Sequence, residues 1–147
     1  MRFHYPLQKI VDLKTTQKTQ AEWILSHAVG ILRDEESNLD QLYEQKSQLQ
    51  YELQDKTTQS TTISSMMVTQ TYINHLSNRI HEKNKQVEMA QTEVEQKKTI
   101  LQSKMQDEKI WNITRDKAQM VFQTQVLKKE QDELDEIATV RFVNTAP

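Results

Sequence analysis

Cysteine is absent from the 147-residue chain, glycine occurs once and proline occurs twice. The absence of cysteine excludes disulfides, thiolate metal ligands and cysteine nucleophiles together. Pro6 and Pro147 stand at the two ends, so no proline ring interrupts a helix from Leu7 to Ala146. Because residues that mark tight turns are nearly missing, a sheet protein is disfavoured. The sequence therefore predicts an all-α fold.

Long apolar runs are also missing from the chain. The first ten residues, MRFHYPLQKI, contain no apolar stretch of signal-peptide length. No segment reaches the roughly 20 apolar residues that a transmembrane helix needs. We therefore expect a soluble protein that is made and kept in the cytoplasm.

The apolar content of the chain is low for a compact core. Apolar residues make up 35% of the sequence and charged residues 27%. A globular domain normally has a larger apolar share. Long helices that meet along a narrow apolar seam need fewer apolar residues, so the composition favours a coiled coil.

Apolar residues of the first half recur at the alternating spacing of three and four that marks such a seam. Ile10, Ile24 and Ile31 lie beside it and predict a more deeply buried N-terminal end, which Trp23 would help to close. The two rows of the seam are Val11, Lys18, Leu25, Leu32, Leu39, Lys46 and Leu53, and Ala21, Ala28, Glu35, Leu42, Leu49 and Lys56.

The second half carries a cleaner seam, because apolar residues repeat every seven positions from Ile73 to Leu101. Lysines in the companion row predict a thin, partly hydrated interface in which alkyl stems cover apolar neighbours. The pattern then passes through Arg115 and Phe122, loosens, and ends in a small apolar group of Leu134, Ile137 and Ala138. The rows are Ile73, Ile80, Val87, Val94 and Leu101, and Leu76, Lys83, Ala90, Lys97, Lys104, Trp111 and Ala118.

A polar segment, residues 55–65 (DKTTQSTTISS), separates the two seams. Serine and threonine are modest helix formers and preferred N-caps, since their hydroxyls bond to backbone groups. A first helix that ends near Thr57 and a second that begins near Ser64 or Ser65 satisfies both properties. A short connection makes long helices antiparallel neighbours. One continuous rod that dimerises in parallel is the weaker alternative, because both seams would need partners through this polar segment.

The predicted architecture is a long antiparallel two-helix coiled coil, a helical hairpin that forms a single unit over residues 1–147. Helix one spans about 7–57, the turn about 58–64, and helix two about 65–140. At 1.5 Å per residue these helices are about 75 and 110 Å long. The second helix is therefore longer, and its C-terminal end is expected to project.

Residues that carry catalysis or bind metals do not cluster in the sequence. None of the histidines, His4, His27, His75 and His81, is paired at a spacing of three or four. Carboxylates are numerous, but a catalytic pair needs a walled pocket, which two helices do not provide. One glycine cannot form a phosphate-binding loop. We expect no catalytic residues, no metal, no cofactor and no small-molecule substrate.

The charge distribution is uneven along the chain. Residues 1–57 hold 7 basic and 9 acidic side chains, residues 58–129 hold 11 and 7, and residues 130–147 hold 1 and 5. The mildly basic middle is not the dense basic stripe of a nucleic-acid binder. We therefore expect no nucleic-acid partner and interpret most of these charges as a solvated helical surface.

One line of residues after the turn could bind a partner. Tyr72, Leu76, Arg79 and Lys83 follow a spacing of four, three and four, which places them on one helical face. Leu76 and Lys83 also belong to the predicted seam. The residues alone therefore favour packing over binding for this line.

Three segments resemble the flagellar export protein FliJ family, and the likeness extends over the whole chain in length and layout. The first is the opening F-x-x-x-L-x-K-I-V-D-L-K, from Phe3 to Lys14. The others are TYINHLSNRI, residues 71–80, and LDEIATVR, residues 134–141. The resemblance implies a cytoplasmic component of the flagellar type III export apparatus at the basal body, peripherally associated with the inner membrane.

The resemblance also implies partners and contact residues. Family members insert a stalk-like hairpin into the export ATPase hexamer, promote ring assembly, contact the membrane export gate and escort export chaperones. The implied ATPase contact is the end where the termini meet, which carries Leu7, Ile10, Leu13, Leu134 and Ile137. The implied gate contact is the face of Tyr72, Leu76, Arg79 and Lys83. Here Arg79 replaces an expected small residue and Lys83 an expected histidine.

Two other readings remain open. The chain could be the stalk of a virulence-type secretion system or of a rotary ATPase, which gene neighbourhood would distinguish. It could also be a structural coiled coil, which would form a stable parallel dimer or filament rather than a monomeric hairpin.

Overall fold

The structure is a computed structural model that describes residues 2–58 and 62–145. Two helices account for nearly all of these residues: α1, Gln8–Thr58, and the longer α2, Ile63–Thr145. They pack against each other, as the sequence predicts for an all-α hairpin. Neither helix has, within the described ranges, a stretch that is long and apolar enough to cross a membrane. The chain divides into two units, Gln20–Leu101 and a second made of residues 1–19 and 102–147.

The boundaries of α2 differ from the predicted ones for a local reason. The predicted start near Ser64 or Ser65 is too late, because the Thr62 hydroxyl accepts a hydrogen bond from the Ser65 backbone N–H at 3.3 Å. This is the geometry of an N-cap, so helix begins at Ile63. At its other end α2 continues to Thr145, about five residues past the predicted end. Residues 59–61 of the predicted turn lie outside the described residues.

The Gln20–Leu101 unit is held together by the predicted seam. Its two helices run antiparallel: Glu35 pairs with Lys83, whereas Lys56, further along α1, donates to Thr69, which lies earlier in α2. Every described seam position of this unit is buried or half-buried. The fully or nearly buried apolar residues are Ala21, Ala28, Leu42, Ile73, Leu76, Ile80, Val87, Ala90 and Val94.

The prediction that flanking isoleucines widen the seam is wrong for this unit. Ile24 and Ile31 remain about half exposed. Trp23 is 72% exposed, so it does not cover the end of the seam. The two isoleucines line an open groove with Met89, which is itself exposed. The isoleucines flank the α1 rows, and the groove that they share with Met89 stays open to solvent, so the seam stays narrow.

In the unit of residues 1–19 and 102–147, the chain before α1 extends the packing. Pro6 precedes the first turn, where the backbone N–H of Gln8 donates to the carbonyl of Tyr5 at 3.1 Å. The ring of Phe3 packs against Phe122 of α2, with centroids 5.4 Å apart. Lys18 donates to Glu108 Oε1 at 3.2 Å, so the helices are antiparallel here as well.

The threonine-rich composition is compatible with helix because of a recurring hydrogen bond. A threonine hydroxyl in a helix can donate to the carbonyl four residues earlier. The donors of this bond are Thr16, Thr19, Thr69, Thr71, Ser77, Thr92, Thr99, Thr114, Thr124 and Thr139. These hydroxyls stay satisfied without leaving the helix.

Candidate interaction surfaces

Leu76, one of the predicted gate-contact residues, is completely buried. Its exposed fraction is 0%, and it forms a cluster with Leu42 of α1 and Ile80 of α2. Its seam position directs the side chain at α1, as the heptad pattern alone suggests. A partner approaching the folded hairpin cannot touch Leu76, so its role in this conformation is packing.

Lys83 is also part of the seam rather than of an open surface. Its Nζ lies 2.9 Å from Oε2 of Glu35, and both side chains are about three-quarters buried. A partly desolvated ion pair between helices fixes their register, because either charge left alone would be poorly solvated. Lys83 is thus occupied within the hairpin.

The exposed part of the predicted gate face is centred on Tyr72. Tyr72 is 49% exposed and Arg79 is exposed as well. The Tyr72 ring lies beside the His75 ring, with centroids 6.2 Å apart. Here α2 forms a shallow apolar hollow, which the following residues line: Ser64, Met67, Val68, Thr71, Tyr72 and His75.

Val68 and His75 were missed as members of this surface by sequence reasoning. Val68, Tyr72 and His75 follow a spacing of four and three, which marks one helical face. The row is rotated away from the seam row of Leu76, and the side chains of Val68 and Tyr72 are exposed. The pattern is present in the sequence, but the seam residues beside it conceal it. We refer to Val68, Tyr72, His75 and Arg79 as the tip face.

The predicted ATPase-contact residues lie on two separate stretches. Leu7 and Leu13, at the start of α1, are about half exposed, and Ile10 between them is half-buried. Leu134 and Ile137, near the end of α2, are 60% and 52% exposed.

A hollow beside Phe3 lies between these stretches. It is lined by Phe3 and by the α2 residues Phe122, Val126, Leu127 and Glu130. Leu134 follows Glu130 by four residues, about one turn or 6 Å along the helix axis. The hollow and the exposed C-terminal residues therefore form one surface along α2, a connection that sequence reasoning did not predict.

The last part of α2 is open to solvent. Every described side chain from Leu127 to Asn144 is exposed. The stretch carries five acidic residues between positions 130 and 136, together with exposed apolar side chains. An exposed helix with this many apolar residues is typical of a protein-binding segment. We call residues 127–144 the C-terminal overhang.

Within residues 2–58 and 62–145, no three histidine, aspartate or glutamate side chains are grouped so that they could hold a metal ion. The charged pairs along the seam hold the helices together, and Tyr72 and His75 lie on the surface of α2. The functional features of the described residues are therefore surfaces on helices.

Comparison with known proteins identifies the family. The model of the family described as flagellar FliJ protein matches residues 3–146. The flagellar FliJ protein of Bacillus subtilis (strain 168) is 26% identical over 146 residues, which cover 97% of each chain. A solved structure described as a YscO homolog from Chlamydia trachomatis covers 99% of this chain and 100% of its own, with 18% identity and a TM-score of 0.48. Both of those values are too low to transfer a function.

The match over nearly the whole chain shows that it belongs to the flagellar FliJ protein family. Membership points to a non-enzymatic component of the flagellar type III export apparatus, whose partners are proteins of that apparatus.

Proposed function

We propose that this FliJ-family chain is the coiled-coil stalk of the flagellar export ATPase, a protein that works by contact and has no catalytic activity of its own. In this proposal it binds the ATPase hexamer, promotes assembly of the ring, contacts the membrane export gate and escorts export chaperones. It acts in the cytoplasm, on the inner face of the membrane at the flagellar basal body.

The observation that carries the proposal is the C-terminal overhang. A helix stretch that exposes every side chain while presenting Leu134 and Ile137 gains free energy when a partner covers them. The five acidic residues of the overhang would face basic groups in the ring. The proposed ATPase contact consists of the overhang, the hollow beside Phe3 and the start of α1, where Leu7 and Leu13 are exposed and Ile10 is half-buried.

The proposed gate contact is the tip face. It keeps Tyr72 and Arg79 of the predicted gate residues as direct contacts. Tyr72 and Arg79 are exposed and would contact the gate directly. Leu76 and Lys83 would support the face from the seam, by packing on Leu42 and by pairing with Glu35. Chaperone escort rests on family membership alone.

The mechanism is mechanical. Two paired helices are stiffer than one, and a two-helix stalk has no sixfold symmetry. It would therefore touch the subunits of a hexamer unequally. That inequality would couple hydrolysis in the ring to movement at the gate.

A pair of reciprocal double variants tests the assignment. Leu134→Asp with Ile137→Asp should abolish binding to the purified export ATPase while leaving gate binding unchanged. Val68→Asp, on the tip face, combined with Met67→Asp beside it, at similarly exposed positions, should do the reverse. Both variants should keep the helical circular dichroism of the parent. If the first variant still binds the ATPase, the proposed contact is wrong.

A further inference from the structure

A second row of apolar residues runs along α2 on the side opposite to the seam. Ile113, Met120, Leu127 and Leu134 repeat every seven residues and are 43–66% exposed. At 100° per residue they lie about 120–180° around the helix from the seam residue Phe122. Seven-residue spacing keeps side chains on one face along a supercoiled helix pair. We call these four residues the outer row.

The outer row is not needed to hold the hairpin together. Each of its members is exposed, while the seam row of Arg115, Ala118 and Phe122 is half-buried. Isolated exposed apolar residues are common, but four at a fixed spacing of seven are typical of a helix that packs on another helix.

The charges around the outer row indicate which helix packs on it. The row is symmetric about the midpoint between positions 123 and 124, so Ile113 mirrors Leu134 and Met120 mirrors Leu127. The mirrored windows 109–117 and 130–138 carry opposite charge. Leaving out Arg115, which lies in the half-buried seam row, the first window holds two basic residues and one acidic residue, and the second holds five acidic and no basic residues. Under an antiparallel two-fold arrangement each basic window lies against an acidic one.

We propose that the outer row binds a second copy of this chain, as an antiparallel dimer centred between residues 123 and 124. Met120 of one chain packs on Leu127 of the other, and Ile113 packs on Leu134. Lys117, four residues after Ile113, faces Glu130 of the second copy. Two-fold symmetry repeats each contact, because a self-complementary surface is used twice.

The dimer is expected to be weak and sensitive to salt. The outer row supplies one apolar side chain every two turns, half of what a two-row seam supplies. The charge matching is between exposed groups, which salt screens. Since the dimer covers Leu134, it would exclude the ATPase contact, a consequence that rests on the proposed function.

Disulfide trapping tests the geometry directly, because the chain has no cysteine to interfere. In the antiparallel dimer, position 120 lies opposite position 127, whereas each is about 10 Å along the axis from its own copy. Met120→Cys and Leu127→Cys chains should therefore cross-link when mixed one to one and should not cross-link alone. A Thr92→Cys chain, with its cysteine outside the row, gives the background.

Sedimentation of the full chain alone provides the second measurement. The chain should shift from monomer to dimer as its concentration rises, and Met120→Asp should remain monomeric with unchanged helicity. Lys117→Glu should weaken the dimer about twofold to thirtyfold, and adding Glu130→Lys should restore it. A parent chain that stays monomeric at all concentrations overturns the proposal, as does cross-linking of each single-cysteine chain with itself. Neither experiment contains the ATPase, so its outcome is independent of the proposed function.

Discussion

Replacing Leu76 with alanine separates packing from binding on the tip face. Leu76 is fully buried against Leu42 and Ile80, so the substitution removes a buried side chain and leaves a cavity. Buried leucine-to-alanine changes cost about 2–5 kcal/mol. A two-helix interface can close partly over the gap, so we expect about 2–3 kcal/mol here. For a chain of this size that lowers the melting temperature by roughly 5–12 °C.

The assay is urea unfolding followed by circular dichroism at 222 nm, combined with a gate-binding measurement below the unfolding transition. Leu76→Ala should lose stability and retain gate affinity, whereas Tyr72→Ala should lose affinity with little change in stability. Leu42→Ala, which removes the facing side chain on α1, is the matched control and should behave like Leu76→Ala. An unchanged urea midpoint in Leu76→Ala, with gate binding lost, would refute the assignment of Leu76 to packing.

Three further predictions concern the helices themselves. Gly30→Ala should raise the free energy of unfolding by about 0.5–1 kcal/mol, because a Cβ there meets nothing within 4 Å and alanine is the better helix former; a lower melting temperature would contradict this. Thr62→Ala should cost about 1 kcal/mol by leaving the Ser65 N–H without its cap, and Thr62→Asp should restore most of the loss in urea unfolding. Glu35→Gln should destabilise the chain by about 1–2 kcal/mol, because Lys83 then lacks its partner. Glu35→Leu with Lys83→Leu should melt at or above the parent temperature, since an apolar pair needs no desolvation of charge. A melting temperature of the double variant below that of the parent would show that the ion pair is itself stabilising.

The seam was predictable because it depends on local spacing alone. A row such as Ile73, Ile80 and Val87 marks one face of a helix whatever the partner is, and each of these residues is buried. The near absence of proline and glycine made the length of the helices predictable, because nothing in the sequence interrupts them. Together these features were sufficient for the two helices and for the greater length of the second.

Features that depend on what lies across the interface were not predictable. Ile24 and Ile31 flank the seam, and whether they are covered depends on the side chains of α2 beside them. The choice of Thr62 as the N-cap was not predictable, because the hydroxyls of Ser64 and Ser65 can cap a helix equally well. Leu76 has a spacing that fits both the seam and the tip face, and its burial in the structure decides between them.

The candidate surfaces were predictable in part. Leu134 and Ile137 stand out in the sequence as apolar residues beyond the end of the regular pattern, and both are exposed. The hollow beside Phe3 depends on the path of residues 2–7, for which no periodic pattern exists. The outer row is visible as a spacing of seven, but its meaning requires knowing that α1 packs on the opposite side.

The most direct test of the stalk function is a titration of the purified chain into the export ATPase of the same organism, with hydrolysis rate and ring assembly recorded together. We expect hydrolysis and hexamer formation to rise together and to saturate near one chain per ring. We expect the Leu134→Asp, Ile137→Asp chain to have no effect. If the fully helical parent chain changes neither hydrolysis nor assembly, the stalk function is contradicted.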